Sequence, residues 1–158
     1  MKTFNKMIDR RQALRTIGVF GIAGAVAGCL GDSSSDGTAG NGITPSSNVE
    51  SYLSSVPNYE GYLEDLTGQA EVMVTVGSGD GFRYDPPAIL IDVGTTVVWE
   101  WTGEGGAHDV TDIEGSFGSD MVADEGTTFD HEFTESGEYL YVCTPHDSME
   151  MKGAVVAE

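Results

Sequence analysis

From residue 70 onward the chain is a succession of short segments in which apolar and polar residues alternate. EVMVTVG, TTFDHEF and GEYLYVC repeat with a period of two, AILIDVGTTVVWEW holds two apolar runs around a Val-Gly-Thr turn, and KGAVVAE closes the chain. Glycine-containing breaks separate most segments, and none of them has helical periodicity. Several short strands with such spacing predict an all-β sandwich or barrel. About 90 residues are enough to bury one core of that kind.

The first 28 residues predict an export signal. Five of the seven basic residues of the chain precede the apolar run IGVFGIAGAVAG: Lys2, Lys6, Arg10, Arg11 and Arg15. A basic region, a short apolar run and a small-residue exit are typical of a signal peptide. The run is shorter than the roughly 20 residues that cross a bilayer. Arg10-Arg11 indicates the twin-arginine route, although Ala13 stands where such signals often carry a bulky apolar residue.

The apolar run ends in a motif that predicts a lipid anchor. Val26-Ala27-Gly28-Cys29 resembles a lipobox, in which cleavage before the cysteine leaves it N-terminal and lipidated. The alternative role of Cys29 is that of a small buried thiol. We therefore expect the mature protein to be anchored through Cys29 on the extracytoplasmic face of the cell membrane.

A low-complexity stretch separates this anchor from the rest. Residues 30–48, LGDSSSDGTAGNGITPSSN, predict a flexible tether whose reach grows as the square root of its length. The following VESYLSSVPNYEGYLEDLTG fits either a turn of helix or a short extended segment, interrupted by Pro57 and Gly61. The predicted organisation is a twin-arginine lipoprotein signal peptide at 1–28, a lipidated cysteine and linker at 29–49, and a folded domain at 50–158.

The charge balance excludes one class of partner. The chain has 26 acidic and seven basic residues, and without residues 1–28 its 25 remaining acids face only Arg83 and Lys152, a net charge of −23. Nucleic-acid binding needs Lys and Arg against the phosphates, so we expect no nucleic-acid partner. The acids are spread along the whole chain, which favours the surface of an extreme halophile. In molar salt the Debye length is about 3 Å, so self-repulsion is screened.

The stretch YLYVCTPHDSMEM, near the end of the chain, holds a cluster of reactive residues. Tyr141 and Cys143 lie on one face of the EYLYVC segment, so Cys143 ends a strand. His146 and Met151 follow in the loop before KGAVVAE, with the spacing C-x2-H-x4-M. Upstream, His108 lies in GEGGAHDV, where small residues let another loop approach closely.

Several interpretations of this cluster compete. With Cys29 lipidated, Cys143 is a lone thiol in an exported protein, which suggests a functional role. A cysteine nucleophile needs an oriented base and an oxyanion hole, and nothing else in the chain indicates a substrate. A structural zinc site usually has more Cys or His and no Met. A chance arrangement requires both loops and the Met spacing to coincide. His131, between two acids in FDHEF, is expected to be a solvated surface residue.

Copper fits the donor set best. Two imidazoles, one thiolate and a weak, long axial thioether form the trigonal geometry of a blue-copper electron-transfer site. The sulfur ligands suit Cu(I), and the imidazoles suit both oxidation states. A protein that holds one compromise geometry for a Cu(I)/Cu(II) ion keeps the reorganisation cost small. Such a site transfers single electrons and performs no chemistry on a substrate, so we expect the protein not to be an enzyme.

Two stretches resemble a known family. GTTVVWEWTGEGGAHDV and YLYVCTPHDSMEMKGAVV are similar to the ligand-bearing stretches of the halocyanins, small blue copper proteins of halophilic archaea. Halocyanins resemble plastocyanins and share the cupredoxin fold, so the resemblance implies a Greek-key β-sandwich preceded by a signal peptide and tether. The likeness covers about residues 50–158. It implies that His108, Cys143 and His146 are the strong copper ligands and Met151 the axial one. Met149 is the competing axial candidate.

The sequence departs from the family pattern at two positions. Asp109 stands where the family often has Asn, a residue that ties the two ligand loops together through the residue after the cysteine. Asp109 can still accept a hydrogen bond from the Thr144 hydroxyl, and its charge should favour Cu(II) and lower the potential. The alternative is a solvent-facing acid. Val142 stands where plant plastocyanins carry a Tyr that serves as a remote electron port.

The remaining electron port would be His146, whose ring edge looks out through an apolar rim in this fold. The candidate rim residues are Pro145, Ala107 and Met149. Trp99 and Trp101 are expected in the core or at the end of the barrel rather than as redox relays.

These features predict a monomeric, membrane-anchored, one-electron carrier between membrane-bound respiratory redox proteins. One alternative is a copper-binding or copper-delivery lipoprotein on the same fold, although delivery needs an open site. Another is a module bound permanently to an oxidase.

Overall fold

The computed structural model describes residues 42–158. The predicted signal peptide, Cys29 and most of the predicted linker lie outside the described residues. Across residues 42–158, no helix is long and apolar enough to span a membrane.

Short strands dominate the described part of the chain. The strands are β1 Gly42–Ile43, β2 Leu63–Asp65, β3 Glu71–Val76, β4 Tyr84–Asp85, β5 Ala88–Ile91, β6 Thr96–Trp101, β7 Thr111–Asp112, β8 Thr128–Glu132, β9 Gly137–Val142 and β10 Lys152–Ala157. The helices are α1, Ser47–Leu53, and the 3-10 helix η1, Thr144–Met149. The predicted strand segments after residue 70 are all strands, and the ligand loop predicted as a turn folds as η1.

The strands form two mixed sheets. One has the order β1-β2-β5-β10-β9-β7 and the other β4-β3-β6-β8. β5 runs parallel to β10, and β3 runs parallel to β6, whereas β9 is antiparallel to β10. Strands that are neighbours in a sheet are therefore often far apart in sequence, which agrees with the predicted sandwich. This mixed order brings the end of β9 and the segment after β6 to the same region.

One core cluster unites residues of both sheets. Period-two alternation gives β3 and β6 one buried face each, and the inward residues of β6 include Trp99 and Trp101, which are 0% and 1% exposed. Tyr141 and Cys143, on the inner face of β9, belong to the same cluster. The predicted core position of both tryptophans is confirmed. Cys143 is thus held within the central hydrophobic core.

A second cluster lies on the outer face of the six-stranded sheet. Its members are Val49, Leu53, Val56, Leu63, Ala88, Leu90, Leu140 and Ala154. All four residues of β5 are buried, because one face meets the central core and the other meets this cluster. The cluster therefore adds α1 as a third layer against β9 and β10.

The folded part starts earlier in the chain than the predicted linker boundary. Residues 42–49, assigned to the linker from composition, contain β1 and the first turn of α1. Ser46 caps this helix, since its Oγ accepts a hydrogen bond from the Val49 backbone amide at 3.3 Å. The segment beyond residue 49, where helix and extended structure both fitted, contains the rest of α1 and strand β2. A seven-residue helix is too short to give a clear periodic signal.

Candidate metal centre

Three donor atoms from two separate parts of the chain meet in one place. His108 follows β6, Cys143 follows β9, and His146 lies in η1. Cys143 Sγ lies 3.6 Å from His108 Nδ1 and 3.3 Å from His146 Nδ1. The two Nδ1 atoms are 3.1 Å apart. The structure therefore brings together three of the four predicted ligands through donor atoms within 4.8 Å of one another.

The outer nitrogen of His108 has a fixed partner. His108 Nε2 lies 2.7 Å from the carbonyl oxygen of Glu104. A carbonyl can only accept a hydrogen bond, so Nε2 carries the proton and Nδ1 presents its lone pair to Cys143 and His146. A second-layer hydrogen bond of this kind fixes both the tautomer and the ring orientation of a metal-binding histidine.

Burial favours the uncharged forms of Cys143 and His146 in the absence of metal. His108 and Cys143 are fully buried, and burial raises the pKa of the Cys143 thiol to about 11. Burial, followed by the proximity of His108, lowers the pKa of His146. The metal-free cluster therefore holds a protonated thiol next to an imidazole that favours its neutral form.

The two methionine candidates differ in burial. Met151 is 0% exposed and belongs to the central core cluster, whereas Met149 is 44% exposed. Met151 is also part of a closed set of backbone hydrogen bonds. The His146 amide donates to Cys143, the Met151 amide to His146, and the Cys143 amide to Met151. These hydrogen bonds close the C-x2-H-x4-M segment into a compact loop. Glu150, with a φ of 58°, makes the turn before Met151.

Asp109 joins the two ligand-bearing loops. Its Oδ1 accepts a 2.6 Å hydrogen bond from the Thr144 backbone amide, and its Oδ2 accepts a short hydrogen bond from the Thr144 hydroxyl. The predicted bond to the hydroxyl is confirmed. Asp109 is 7% exposed, so its alternative interpretation as a solvent-facing acid is wrong. The residues after His108 and after Cys143 are therefore tied directly to each other.

Buried aromatic residues hold the backbone around His108. Trp101 Nε1 donates to the carbonyl of His108 at 3.2 Å, and the Tyr84 hydroxyl donates to the carbonyl of Asp109 at 2.6 Å. His108 also exchanges both backbone hydrogen bonds with Val122. Contacts from three separate segments therefore fix the backbone at His108 and Asp109.

The glycine-rich loop before His108 is packed against another glycine-rich loop. A Cβ at Gly105 would overlap the carbonyl oxygen of Gly81, and Gly105 has a φ of +77°. The predicted close approach of a second loop is confirmed, and that loop is residues 77–82. Only glycine satisfies both the positive φ and the missing Cβ at this contact.

The second loop also supplies an aromatic residue that the sequence did not indicate as part of the site. The Phe82 ring lies edge-on to His146 at a centroid distance of 4.9 Å and to His108 at 6.2 Å. A single aromatic residue after a glycine loop has no distinguishing spacing. Only the packing of the two loops shows that Phe82 borders both imidazoles.

His131 does not join the centre. It lies in β8 and stacks on Phe117 at a centroid distance of 4.9 Å, and it meets Phe133 edge-on at the same distance. The prediction of a solvated surface residue is therefore only partly right, because one ring face is covered. The flanking Asp130 and Glu132 are exposed.

The geometry of the three donor atoms fits a metal ion. A triangle with sides of 3.1, 3.3 and 3.6 Å has its centre about 2 Å from each corner, which is close to the length of a metal–imidazole bond. Two imidazoles and one thiolate are the strong ligands of a blue-copper site, and the buried Met151 adjoins them.

Comparison with known proteins agrees with this chemistry. The family of copper binding proteins that contains plastocyanin and azurin matches residues 70–158. The chain belongs to this family. It is similar to halocyanin of Natronomonas pharaonis, with 44% identity over 97% of this chain and 99% of that protein.

Two further similarities are more distant. Amicyanin of Paracoccus versutus is 38% identical over 48% of this chain and 58% of that protein. A solved Cu(I) form of an amicyanin variant has 30% identity, covers 56% of this chain and 83% of that one, and gives a TM-score of 0.48.

Family membership confirms the predicted cupredoxin fold, the copper cofactor and the resemblance to halocyanins. The protein is a type 1 blue copper electron-transfer protein. Residues 42–69, which include β1, α1 and β2, lie outside the matched family range.

Proposed function

We propose that His108, Cys143 and His146 hold one copper ion as strong ligands, and that Met151 is its weak axial ligand. The observation that carries this assignment is the buried triangle of Nδ1, Sγ and Nδ1 atoms, with sides of 3.1 to 3.6 Å. The exposed Met149 fits an axial role less well, because an axial thioether belongs on the dry side of the centre.

The protein contributes a preorganised and largely dry set of donors. Copper, when bound, supplies a reversible one-electron change between Cu(I) and Cu(II). The Glu104 carbonyl orients His108, Asp109 ties the two ligand loops together, and backbone hydrogen bonds close the loop from Cys143 to Met151. Because these contacts do not depend on the metal, the donors have little freedom to rearrange when the charge of the centre changes.

The exposed side of the centre favours electron exchange over substrate chemistry. His146 is partly exposed, and the neighbouring residues Pro145 and Met149 are exposed apolar residues. His108, Cys143 and Met151 are buried, so no ligand position is open to a substrate. We infer a non-enzymatic role, with electrons passing through the His146 edge.

We further propose that the protein is a monomeric carrier anchored to the extracytoplasmic face of the cell membrane through a lipid on Cys29. The signal-like residues 1–28 and the polar stretch 30–48 support this proposal. A tether of that composition keeps the domain at high effective concentration near its membrane-bound electron donor and acceptor.

The test is a visible spectrum of the protein with Cu(II) in high salt. We expect an intense thiolate-to-copper charge-transfer band that ascorbate bleaches and an oxidant restores. Cys143→Ser should abolish the band, and Met149→Leu should leave it in place. Copper binding without a redox-reversible band would overturn the electron-carrier assignment in favour of copper delivery. A normal band in Cys143→Ser would overturn the ligand set.

A further inference from the structure

A tyrosine from outside the matched family range contacts the strand that leads to Cys143. Tyr52 lies in α1, and its hydroxyl donates a 3.1 Å hydrogen bond to the backbone carbonyl of Tyr141. Tyr141 is fully buried and precedes Cys143 by two residues on β9. A helix that contributes to the outer hydrophobic cluster therefore also reaches the strand that carries the thiolate.

This hydrogen bond completes a continuous bonded path. From Cys143 Sγ the path follows the cysteine side chain to its backbone nitrogen, crosses Val142, and reaches the Tyr141 carbonyl entirely through covalent bonds. One hydrogen bond then leads to the Tyr52 phenol. Electronic coupling decays less along covalent and hydrogen bonds than across an equal distance of empty space. The thiolate is also the ligand that shares most electron density with copper, so a path that begins at Cys143 starts from strong coupling.

The path ends at the protein surface. The Tyr52 ring is only partly buried, and Lys152 Nζ lies 5.7 Å from its centroid. Lys152 is itself held by Glu150 at 2.6 Å and by Asp147 at 3.5 Å, so its position above the ring is fixed from the side of η1. Burial, followed by the negative charge of Asp147, raises the pKa of Tyr52, so the phenol keeps its proton and remains a hydrogen-bond donor.

We propose that Tyr52 provides a second electron-transfer path, from Cys143 to the surface of α1, which does not pass through the His146 ring. The inference rests on the proposed role of Cys143 as a copper ligand. One electron leaves the reduced centre and one arrives at a one-electron redox partner. No bond is made or broken, and Tyr52 is neither oxidised nor deprotonated.

The first measurement requires no copper. In the metal-free protein, Tyr52→Phe removes the hydroxyl and keeps the ring that packs on the outer cluster. We expect the 13C shift of the Tyr141 carbonyl to move and the melting temperature to change little. An unchanged carbonyl shift would show that the hydrogen bond is absent and would overturn the path.

The second measurement compares two labels in copper-loaded full-length protein carrying Cys29→Ser. A ruthenium photo-oxidant is attached at one of two exposed positions. The first is Asn48→Cys, one helical turn before Tyr52, and the second is Asp120→Cys, in the loop just before Val122, which pairs with His108. We expect Tyr52→Phe to slow electron transfer to the label at position 48 several-fold and to leave the rate at position 120 unchanged.

The controls separate coupling from structure. The visible band and the midpoint potential should be the same with Tyr52 and with Phe at this position. An equal slowing at both labels would indicate a structural effect, and unchanged rates at both labels would show that the phenol carries no coupling; either result overturns the path. Absence of the blue band even with Tyr52 in place would instead overturn the ligand set proposed above, and this inference with it.

Discussion

The two histidine candidates share one cluster but are held in opposite ways. His108 is fully buried, its Nε2 is bonded to a carbonyl, and its backbone is fixed by Trp101 and Val122. His146 is partly exposed and lies in a six-residue 3-10 helix stabilised mainly by local backbone hydrogen bonds.

We infer from this difference that His108 mainly holds the metal in place and that His146 exchanges the electrons. A buried, multiply anchored ligand keeps the geometry constant, whereas a ligand with one exposed edge brings the centre close to a partner. Phe82 contacts both rings and limits how far the exposed one can turn. The comparison predicts that the same substitution will have different effects at His108 and at His146.

The largest expected effect comes from removing each imidazole. His108→Gly and His146→Gly should both abolish the blue band, because each removes a strong ligand. Added imidazole should restore the band in His146→Gly, since solvent reaches that position, but not in the buried His108→Gly. The check is a titration of both copper-loaded variants with imidazole. Equal rescue of both variants would refute the contrast between the two sides.

The packing of the His108 loop can be tested by adding a single methyl group. Gly105→Ala should lower the free energy of unfolding by about 2 to 4 kcal/mol, because it combines a positive φ with a clash at Gly81. Gly106 is the matched control, since it has a φ of +92° and an added Cβ there would have no atom within 4 Å. Gly106→Ala should cost only about 1 to 2 kcal/mol, the strain of the backbone alone. Denaturant unfolding measures both values, and equal costs would contradict the loop contact.

Asp109, which links the two ligand-bearing loops, carries a negative charge. Asp109→Asn can keep the bond from the Thr144 amide through Oδ1, while its Nδ2 would donate to the Thr144 hydroxyl in place of accepting from it. The substitution removes a negative charge near the centre, so the midpoint potential should rise. The expected shift is on the order of 100 mV, because a unit charge within about 10 Å acts with roughly 2 kcal/mol at an effective dielectric constant of 20. Asp130→Asn, an exposed acid on β8, is the control and should leave the potential unchanged in voltammetry. An unchanged or lower potential in Asp109→Asn would contradict the electrostatic role.

The smallest expected effect is the number of protons released when copper binds, which distinguishes the protonated thiol from the neutral imidazole. Burial raises the pKa of Cys143 to about 11 and lowers that of His146, so at pH 8 the thiol is protonated and His146 is neutral. Loading copper must displace the thiol proton, so about one proton should be released per ion. The apparent affinity should therefore rise with pH up to the thiol pKa and level off above it.

An indicator dye in weak buffer measures this release during copper titration. Cys143→Ala should release none, and release in that variant would assign the proton to another group.

Much of the site could be predicted because its signals are local in sequence. The strand alternation around Cys143 and the C-x2-H-x4-M spacing lie within one stretch, and the glycines before His108 indicate a close loop contact. The hydrogen bond between Asp109 and Thr144 was also predictable, since both residues directly follow ligand candidates. Local periodicity likewise predicted the strands of the sandwich after residue 70.

The remaining features depend on contacts between distant residues. Phe82 borders the imidazoles only because two glycine loops interlock, and Tyr52 reaches β9 only because α1 packs on the outer sheet face. The half-covered position of His131 depends on Phe117, which comes from a separate loop. Composition assigned residues 42–49 to a linker, since short elements with polar residues lack a periodic signal.

The sequence by itself determined the donor types, their spacing around Cys143 and the strand pattern, because each depends on residues that are close together in the sequence. The family resemblance implied that His108 joins Cys143 across 35 residues. Only the tertiary structure decided which ring nitrogen of His108 faces the site, and that one imidazole is buried while the other reaches the surface. These properties arise from sheet order and loop packing, which position atoms that sequence spacing leaves free.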